Sequence, residues 1–249
     1  LIYIVEVKPI SKTIFQYSGH ELEAMSLAVR YHRWILNECK AFIRGEVAEV
    51  GAGQGDFSRW LMTLDINRLT AYEPSPDLAG ILRTSGFPRR RFRVVQDVFS
   101  HRTVRQAFHT VIYVNVLEHI AQDGEELRFV YDTLKPSGHC IVYSPACPAL
   151  MSEFDRQMGH VRRYTRHGLK SLFESAGFQV VKLRYMDMPG ALLWFLNFRL
   201  LKRTLTRDYV AVYDRLAVPV IRRVEHLLLP PVGKNVLIVG EKSKRNVEC

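Results

Sequence analysis

Several classes of protein are excluded by what this chain lacks. Its four cysteines, Cys39, Cys140, Cys147 and Cys249, form no C-x-x-C pair and stand at no metal-ligand spacing with histidine. Neither a disulfide framework nor a zinc site is therefore expected, no metal is assigned, and a reducing, cytoplasmic setting is the default. No internal repeat or low-complexity linker divides the 249 residues, so one domain is expected over 1–249. Long apolar runs are missing too. The opening LIYIVEVKP contains Glu6 and has the layout of neither a signal peptide nor a spanning helix. The apolar stretch around Trp194, Phe195 and Phe198 is cut by Arg199, well short of the roughly 20 residues that cross a bilayer. Acidic residues are outnumbered, 25 against 35 Lys and Arg, for a formal net charge of +10. Such a balance favours nucleic acid, an anionic membrane surface or an acidic small substrate, without choosing among them.

What is present centres on Val47 to Ser58, VAEVGAGQGDFS. A β-branched run ends in glycines at alternate positions before an amphipathic stretch, which predicts strand, tight turn and helix. Gly51, Gly53 and Gly55 let the backbone turn sharply and approach a ligand with no Cβ in the way. A glycine turn between strand and helix is the nucleotide cradle of a doubly wound sheet. A nicotinamide or flavin fingerprint needs G-x-G-x-x-G/A, whereas here Asp56 fills the third position and would repel a pyrophosphate. An NAD(P)-dependent oxidoreductase is accordingly the weaker alternative. Further along, RLTAYE reads as a second strand ending in Glu73, 18 residues beyond Gly55. A carboxylate there accepts hydrogen bonds from ribose hydroxyls. Ser75 caps the following helix, with Pro76 at its first position.

The run E-x-G-x-G-x-G from Glu49 to Gly55 resembles motif I of the class I S-adenosylmethionine-dependent methyltransferases, and TVIYVNVLEHI resembles the fourth-strand motif of their small-molecule members. The similarity extends over about Tyr31 to Lys242. It implies an α/β, Rossmann-like, seven-stranded and mostly parallel sheet with helices on both faces, an N-terminal helix and a helical insertion before the last strand. It implies S-adenosyl-L-methionine as cofactor, held by Glu49, Gly51, Ala52, Gly53 and Gly55, by Glu73 and Pro74, by Asp97 and Val98 after the third strand, and by Asn115 and Val116 after the fourth. A cofactor with an ammonium and a sulfonium and no phosphate suits an acidic turn. Val116 and Leu117 stand where the prolines of the nucleobase-methylating relatives would be, so nucleic acid is a less favoured partner.

The remaining expectations concern the acceptor. Ser18 and Glu21 form an S-x-x-E capping box, and Leu22, Met25, Val29, Leu36, Cys39 and Ile43 recur at helical steps. This predicts an N-terminal helical cap over 18–44, in which Tyr31 and Trp34 are substrate-contact candidates. Residues 46–146 form the cofactor-binding half, and 147–249 the substrate side with a helical insertion at about 190–229. The polar segment MSEFDRQMGHVRRYT follows the fifth strand, where α/β folds place substrate-binding residues. Its G-H-x-R-R-Y is similar to a segment of bacterial members of the class. His160 is the expected general base, with His119 as competitor and Tyr164 as a further catalytic candidate, and Arg162 and Arg163 are expected to hold an acidic acceptor. Thr165 is expected to cap LKSLFESAGF, with Gly177 as its stop. The insertion could cover the pocket, join two subunits or lie on a membrane surface. The expected reaction is methyl transfer to an O, N or C nucleophile of a small molecule. An RNA-binding or non-catalytic module of the same fold is the alternative.

Overall fold

Strand β1, Gly45–Val50, lies in the sheet interior because its residues feed both faces: Val47 packs into one core and Ala48 into the other. The same period of two runs through β4, Phe108–Val114, where Ile112 faces one side and Val111 and Tyr113 the other. Residues 26–99, 105–201 and 206–244 are described by the computed structural model. Seven strands form one sheet in the order β3-β2-β1-β4-β5-β7-β6, with β2 at Ile66–Tyr72, β3 at Phe92–Val95, β5 at Leu134–Pro145, β6 at Gln179–Met186 and β7 at Asn235–Glu241. The first five strands run parallel, while β7 is antiparallel to both β5 and β6. This is the expected mostly parallel sheet, and the structure adds that its last strand runs antiparallel to both neighbours.

Helices cover both faces, as a parallel sheet requires. On one face lie α1, Val29–Cys39, α2, Asp56–Leu61, and α3, Pro76–Thr84, which bury Trp34, Ile35, Phe57, Leu61 and Leu82 against Val47, Leu69 and Ile112. On the other, Leu127 and Val130 of α4, Asp123–Thr133, meet Leu169 and Phe173 of α6, Arg166–Ser175. The start of α3 follows its sequence signal: the Ser75 side chain accepts from Leu78 N–H and Pro76 is the first helical residue. Thr165 likewise accepts from Gly168 N–H at the start of α6, and Gly177 follows its end at φ +98°.

Three expectations need adjustment. The N-terminal capping box at Ser18 and Glu21, with Leu22 and Met25, lies outside the described residues. Val29 is exposed, because the buried stripe of α1 runs through Tyr31, Trp34, Ile35 and Cys39 instead. The polar segment after β5 is not wholly loop: it contains the one-turn helix α5, Glu153–Gln157, where Ser152 and Asp155 make a reciprocal capping box. Between β6 and β7 stands the expected helical insertion, made of α7, Met188–Trp194, a π-helical turn at Phe195–Leu200, α8, Arg207–Val212, a second π turn at Tyr213–Ala217, and α9, Val218–Leu227. No helix among the described residues is long and apolar enough to cross a membrane.

The packing of α6 on the sheet depends on one small residue in β7. A Cβ on Gly240 would fall 2.6 Å from Phe173 Cδ1 and 2.8 Å from Phe178 Cβ. Gly240→Ala should therefore cost about 1–3 kcal/mol by overpacking. Urea denaturation showing no loss would mean that the two rings move aside freely.

Candidate functional site

The carboxyl ends of β1, β2 and β4 converge at the glycine turn. Gly51, Gly53 and Gly55 all have positive φ, at +68°, +57° and +85°. The turn is pinned to β2 by Gly51 and Ala52 N–H donating to Tyr72 O, at 2.9 and 3.1 Å. Its three glycines do different work. A Cβ on Gly51 would lie 2.6 Å from Val116 Cγ2, so its missing side chain lets the segment after β4 approach. A Cβ on Gly55 would strike Leu82 at 2.8 Å, whereas one on Gly53 meets nothing within 4 Å among the described residues. Gly53 thus faces open space at the head of the turn.

Glu73, immediately after β2, is buried, and each of its oxygens accepts one backbone N–H: Gly53 at 2.8 Å on Oε2 and Ser75 at 2.9 Å on Oε1. Every carboxylate oxygen has a second lone pair, which leaves capacity for two hydroxyls. Glu49 is buried beneath the turn and accepts from Ser58 Oγ at 2.5 Å. Burial pushes its carboxyl up to about 8, with Asp56 and Glu73 adding repulsion. Burial also raises Asp56 and Glu73. Three carboxylates held against their charge form a donor set suited to a cation and hostile to a phosphate. Asp56 is the first residue of α2, where a pyrophosphate would have to sit. The residues present therefore fit a phosphate-free, cationic nucleoside.

Asp97 and Val98 are exposed beyond β3, the Asp97 carboxylate accepting from Val98 N–H at 2.8 Å. Asn115 turns the chain after β4 at φ +55°, its N–H donating to Tyr143 O. A cleft of about 370 Å³ between α1 and α2 is lined by His32, Asp56, Arg59 and Trp60 among others; it touches the turn at Asp56 but does not extend to Glu73, Asp97 or Asn115.

A second group lies a few residues past Val116. Glu118 is fully buried: its Oε2 accepts from Ser144 Oγ at 2.9 Å and its Oε1 has no hydrogen-bond partner among the described residues. Its carboxyl is pushed up to about 7 by burial, opposed by His160. His119, held near 4 by burial and by His160, packs edge-on against the His160 ring with centroids 4.8 Å apart. His160 Nδ1 bonds Asp155 Oδ1 at 3.0 Å, and its Nε2 stands 3.9 Å from Glu118 Oε1. Asp155 also takes Arg163 Nε and Nη2 at 3.0 and 2.7 Å and both donors of Ser152. Burial opposes its charge, yet His160 and Arg163 hold its carboxyl far below the usual range.

Of the expected substrate and catalytic residues, the loop's basic side chains are placed as struts. Arg163 is buried on Asp155 and stacks over Trp194, and Arg162 pairs with Asp123 and donates to Ala121 O. Tyr164 is buried, with its hydroxyl donated to Asp123 at 2.9 Å and its ionisation raised by burial and by Asp123. Trp34 is buried with an unpartnered indole N–H. Tyr31 does reach a cavity, one of about 70 Å³ shared with Trp194, Phe198, Tyr209, Tyr213 and Lys234 under the insertion. That cavity is built on a residue with no sequence signal, Asp187. Buried at φ +64°, it accepts from Tyr31 Oη at 3.0 Å, Tyr213 Oη at 2.5 Å and Gly190 N–H, and pairs with Lys234 at 3.0 Å. Asp155 and Glu118 were equally silent as a pair, since their partners are brought in from 5 to 42 positions away.

Comparison with known proteins agrees with this geometry. The methyltransferase domain family matches residues 28–183, and the chain belongs to that family. Its fold is that of S-adenosylmethionine-dependent methyltransferases. No curated protein matches it. Among solved structures it is similar to a Haloferax volcanii methyltransferase determined in complex with a methyltransferase activator, with TM-score 0.62, 16% identity and coverage of 92% of this chain and 97% of that one. A Thermotoga maritima S-adenosylmethionine-dependent methyltransferase gives 0.58 at 20% identity, covering 92% and 98%. One from Mesorhizobium loti gives 0.57 at 14%, covering 79% and 90%.

Two outcomes test the turn. Gly51→Ala should destabilise the fold more than Gly53→Ala, because both incur roughly 1–2 kcal/mol for a left-handed backbone but only the first also strikes Val116; equal losses on denaturation would contradict the asymmetry. For Glu49, a folded value near 8 against an ordinary 4.5 means that the folded state holds the proton more tightly. The stability so gained is complete below about pH 4.5 and is lost as pH rises through 8, at about 1.4 kcal/mol per pH unit. Glu49→Gln should flatten that decline, and an unchanged pH profile would place the titration elsewhere.

Proposed function

We propose that this chain transfers the methyl group of S-adenosylmethionine to an oxygen, nitrogen or carbon nucleophile of a small-molecule, acidic acceptor. The observation that carries the reading is Glu73, buried at the tip of β2 yet with hydrogen-bonding capacity left, facing the one turn glycine whose missing side chain opens on free space. In this reading Glu73 and Pro74 take the ribose, Asp97 and Val98 the adenine, and Glu49 with Gly51, Ala52, Gly53 and Gly55 the amino-acid part, while Asn115 and Val116 border the reacting end. The cofactor supplies a methyl carbon already activated by sulfonium. The chain's own contribution is alignment of the nucleophile with that carbon, which can account for several kcal/mol of the barrier.

Residues 46–146 would then serve the cofactor and 147–249 the acceptor, under the α1 cap. The expected cap begins at 18, outside the described residues. In this reading Tyr31 would meet the acceptor at the cavity beneath the insertion, which it lines. The acidic character of the acceptor is supported by the net charge of +10 rather than by Arg162 and Arg163, whose guanidinium groups are already paired. Where an acceptor proton must leave, the group positioned for it is Glu118, His119 and His160; Tyr164 has its hydroxyl committed to Asp123. Exposed Leu192, Leu196, Leu216, Leu227 and Leu228 on the insertion offer a surface for a partner, whether a second copy, an activator of the kind seen with the Haloferax protein, or a membrane surface.

A ligand that binds only the folded chain stabilises it by about 2.7 kcal/mol at one hundred times its dissociation constant. S-adenosylhomocysteine should raise the melting temperature and NAD or NADP should not; the reverse ranking would sink the reading. Glu73→Ala should weaken that binding by about tenfold or more, since each hydrogen bond to a charged group is worth roughly 1.5–3 kcal/mol. Calorimetry with unchanged affinity would remove Glu73 from the ribose site.

A further inference from the structure

We propose that Glu118, His119 and His160 bind one first-row divalent cation, of the kind represented by Zn²⁺, beside the reacting end of the cofactor site. The ligand atoms of the three side chains all lie within 4.8 Å of one another. Spacing in the sequence gave no hint of it, because His160 reaches Glu118 and His119 only through the loop after β5.

Three independent features point to a cation rather than to a chance cluster. The first is Glu118 Oε1, fully buried and without a hydrogen-bond partner among the described residues while its twin oxygen is satisfied by Ser144. An unmet buried acceptor is costly, and a metal ion would satisfy it. The second is the orientation of His160. Its Nδ1 bonds Asp155 at 3.0 Å, which turns Nε2 toward Glu118 Oε1 at 3.9 Å. A carboxylate fixing the far nitrogen of an imidazole is the usual support of a metal-bound histidine. The third is charge: Arg163 is committed to Asp155 at 2.7 Å, and the basic group facing Glu118 Oε1 is the His160 imidazole at 3.9 Å, beyond hydrogen-bond distance. Two imidazoles with one carboxylate select a first-row divalent ion over magnesium or calcium.

Three protein ligands leave a coordination position open for an outside oxygen. Val116 touches the glycine turn, and Glu118 follows two residues later, which ties the cluster to the segment that borders the turn. An acceptor hydroxyl bound there would lose its proton to water more readily. The oxygen then forms the bond to the methyl carbon as the carbon–sulfur bond breaks and sulfur keeps the electron pair. This catalytic consequence rests on the methyl-transfer reading; cation binding does not.

The test uses the full chain, stripped with chelator, desalted and titrated with Zn²⁺ by calorimetry, with Co²⁺ as a spectroscopic probe of imidazole ligation. One equivalent should bind, and Glu118→Gln and His160→Ala should each weaken it at least tenfold. Asp155→Asn, which reaches the ion only through His160, should weaken it about 10- to 100-fold. The S-adenosylhomocysteine thermal shift, measured on the same samples, reports the fold and the cofactor site separately. A variant that has lost that shift is replaced by His119→Asn, at a half-buried position, with the same loss expected. Binding of less than one equivalent by the wild type would overturn the proposal, as would variants that bind as the wild type does, which would assign the heat to stray histidines. Absence of the thermal shift in the wild type would instead count against the cofactor reading and leave the cation result standing.

Discussion

The structure of the site depends on a side chain that is not there. Because Gly51 has no Cβ, the segment after β4 can close to van der Waals contact with the turn after β1 through Val116. That approach fixes where Asn115 reverses the chain and where Glu118 and His119 come to rest. Any larger residue at position 51 would have to push Val116 away or abandon the left-handed backbone, and either movement would carry the whole 115–119 segment with it. Glu73 reinforces the same arrangement from the other side, since it ties the head of the turn to the start of α3 through two backbone N–H groups.

Around this edge, two buried carboxylates act as joints. Asp155 gathers His160, Arg163 and Ser152, and Asp187 gathers Tyr31, Tyr213, Gly190 and Lys234. Buried ion pairs add little net stability once desolvation is counted, but removing one partner of such a pair costs about 3–5 kcal/mol. Their effect is to make the geometry of the loop after β5, and of the insertion against α1, all-or-none. Asp187 does this from a strained left-handed conformation at the very start of α7, a combination that persists only where several contacts over-determine it.

How much of this could be read in the sequence follows from the range of the interactions. The Ser75–Pro76 start and the Thr165 cap are local patterns, in which residues within a few positions of each other satisfy one another, and the turn and Glu73 are marked by glycine spacing and by a strand end; all stand where expected. The helical insertion before the last strand followed instead from the resemblance to the methyltransferase class, and it too stands where expected. Arg162, Arg163 and Tyr164 were legible as a motif but not as struts, because the sequence cannot show that Asp123 and Asp155 are waiting for them. The Glu118–His160 contact and the Asp187 joint had no signal at all, being made by tertiary packing across 42 and 156 positions in the chain. Val29 misled through periodicity alone: an apolar residue at the helical step is exposed because neighbouring aromatics fill the sheet-facing stripe.

The charge distribution joins these observations. The chain as a whole is basic, yet Glu49, Asp56, Glu73, Glu118 and Asp155 are all drawn to the carboxyl ends of the strands and the loops beyond them. Arg163 neutralises Asp155, but burial raises the carboxyls of Glu49, Asp56 and Glu73, with repulsion from Asp56 and Glu73 added at Glu49 and Arg59 only partly opposing the rise at Asp56. Such an edge is least stable alone and is relieved by any positive group that enters it, whereas the basic exterior draws negative molecules toward the same protein. On the proposed reading, a cationic methyl donor and an acidic acceptor would be sorted by sign before any shape is compared: the carboxylates would favour the donor inside, and the field of the whole chain would favour the approach of the acceptor from without.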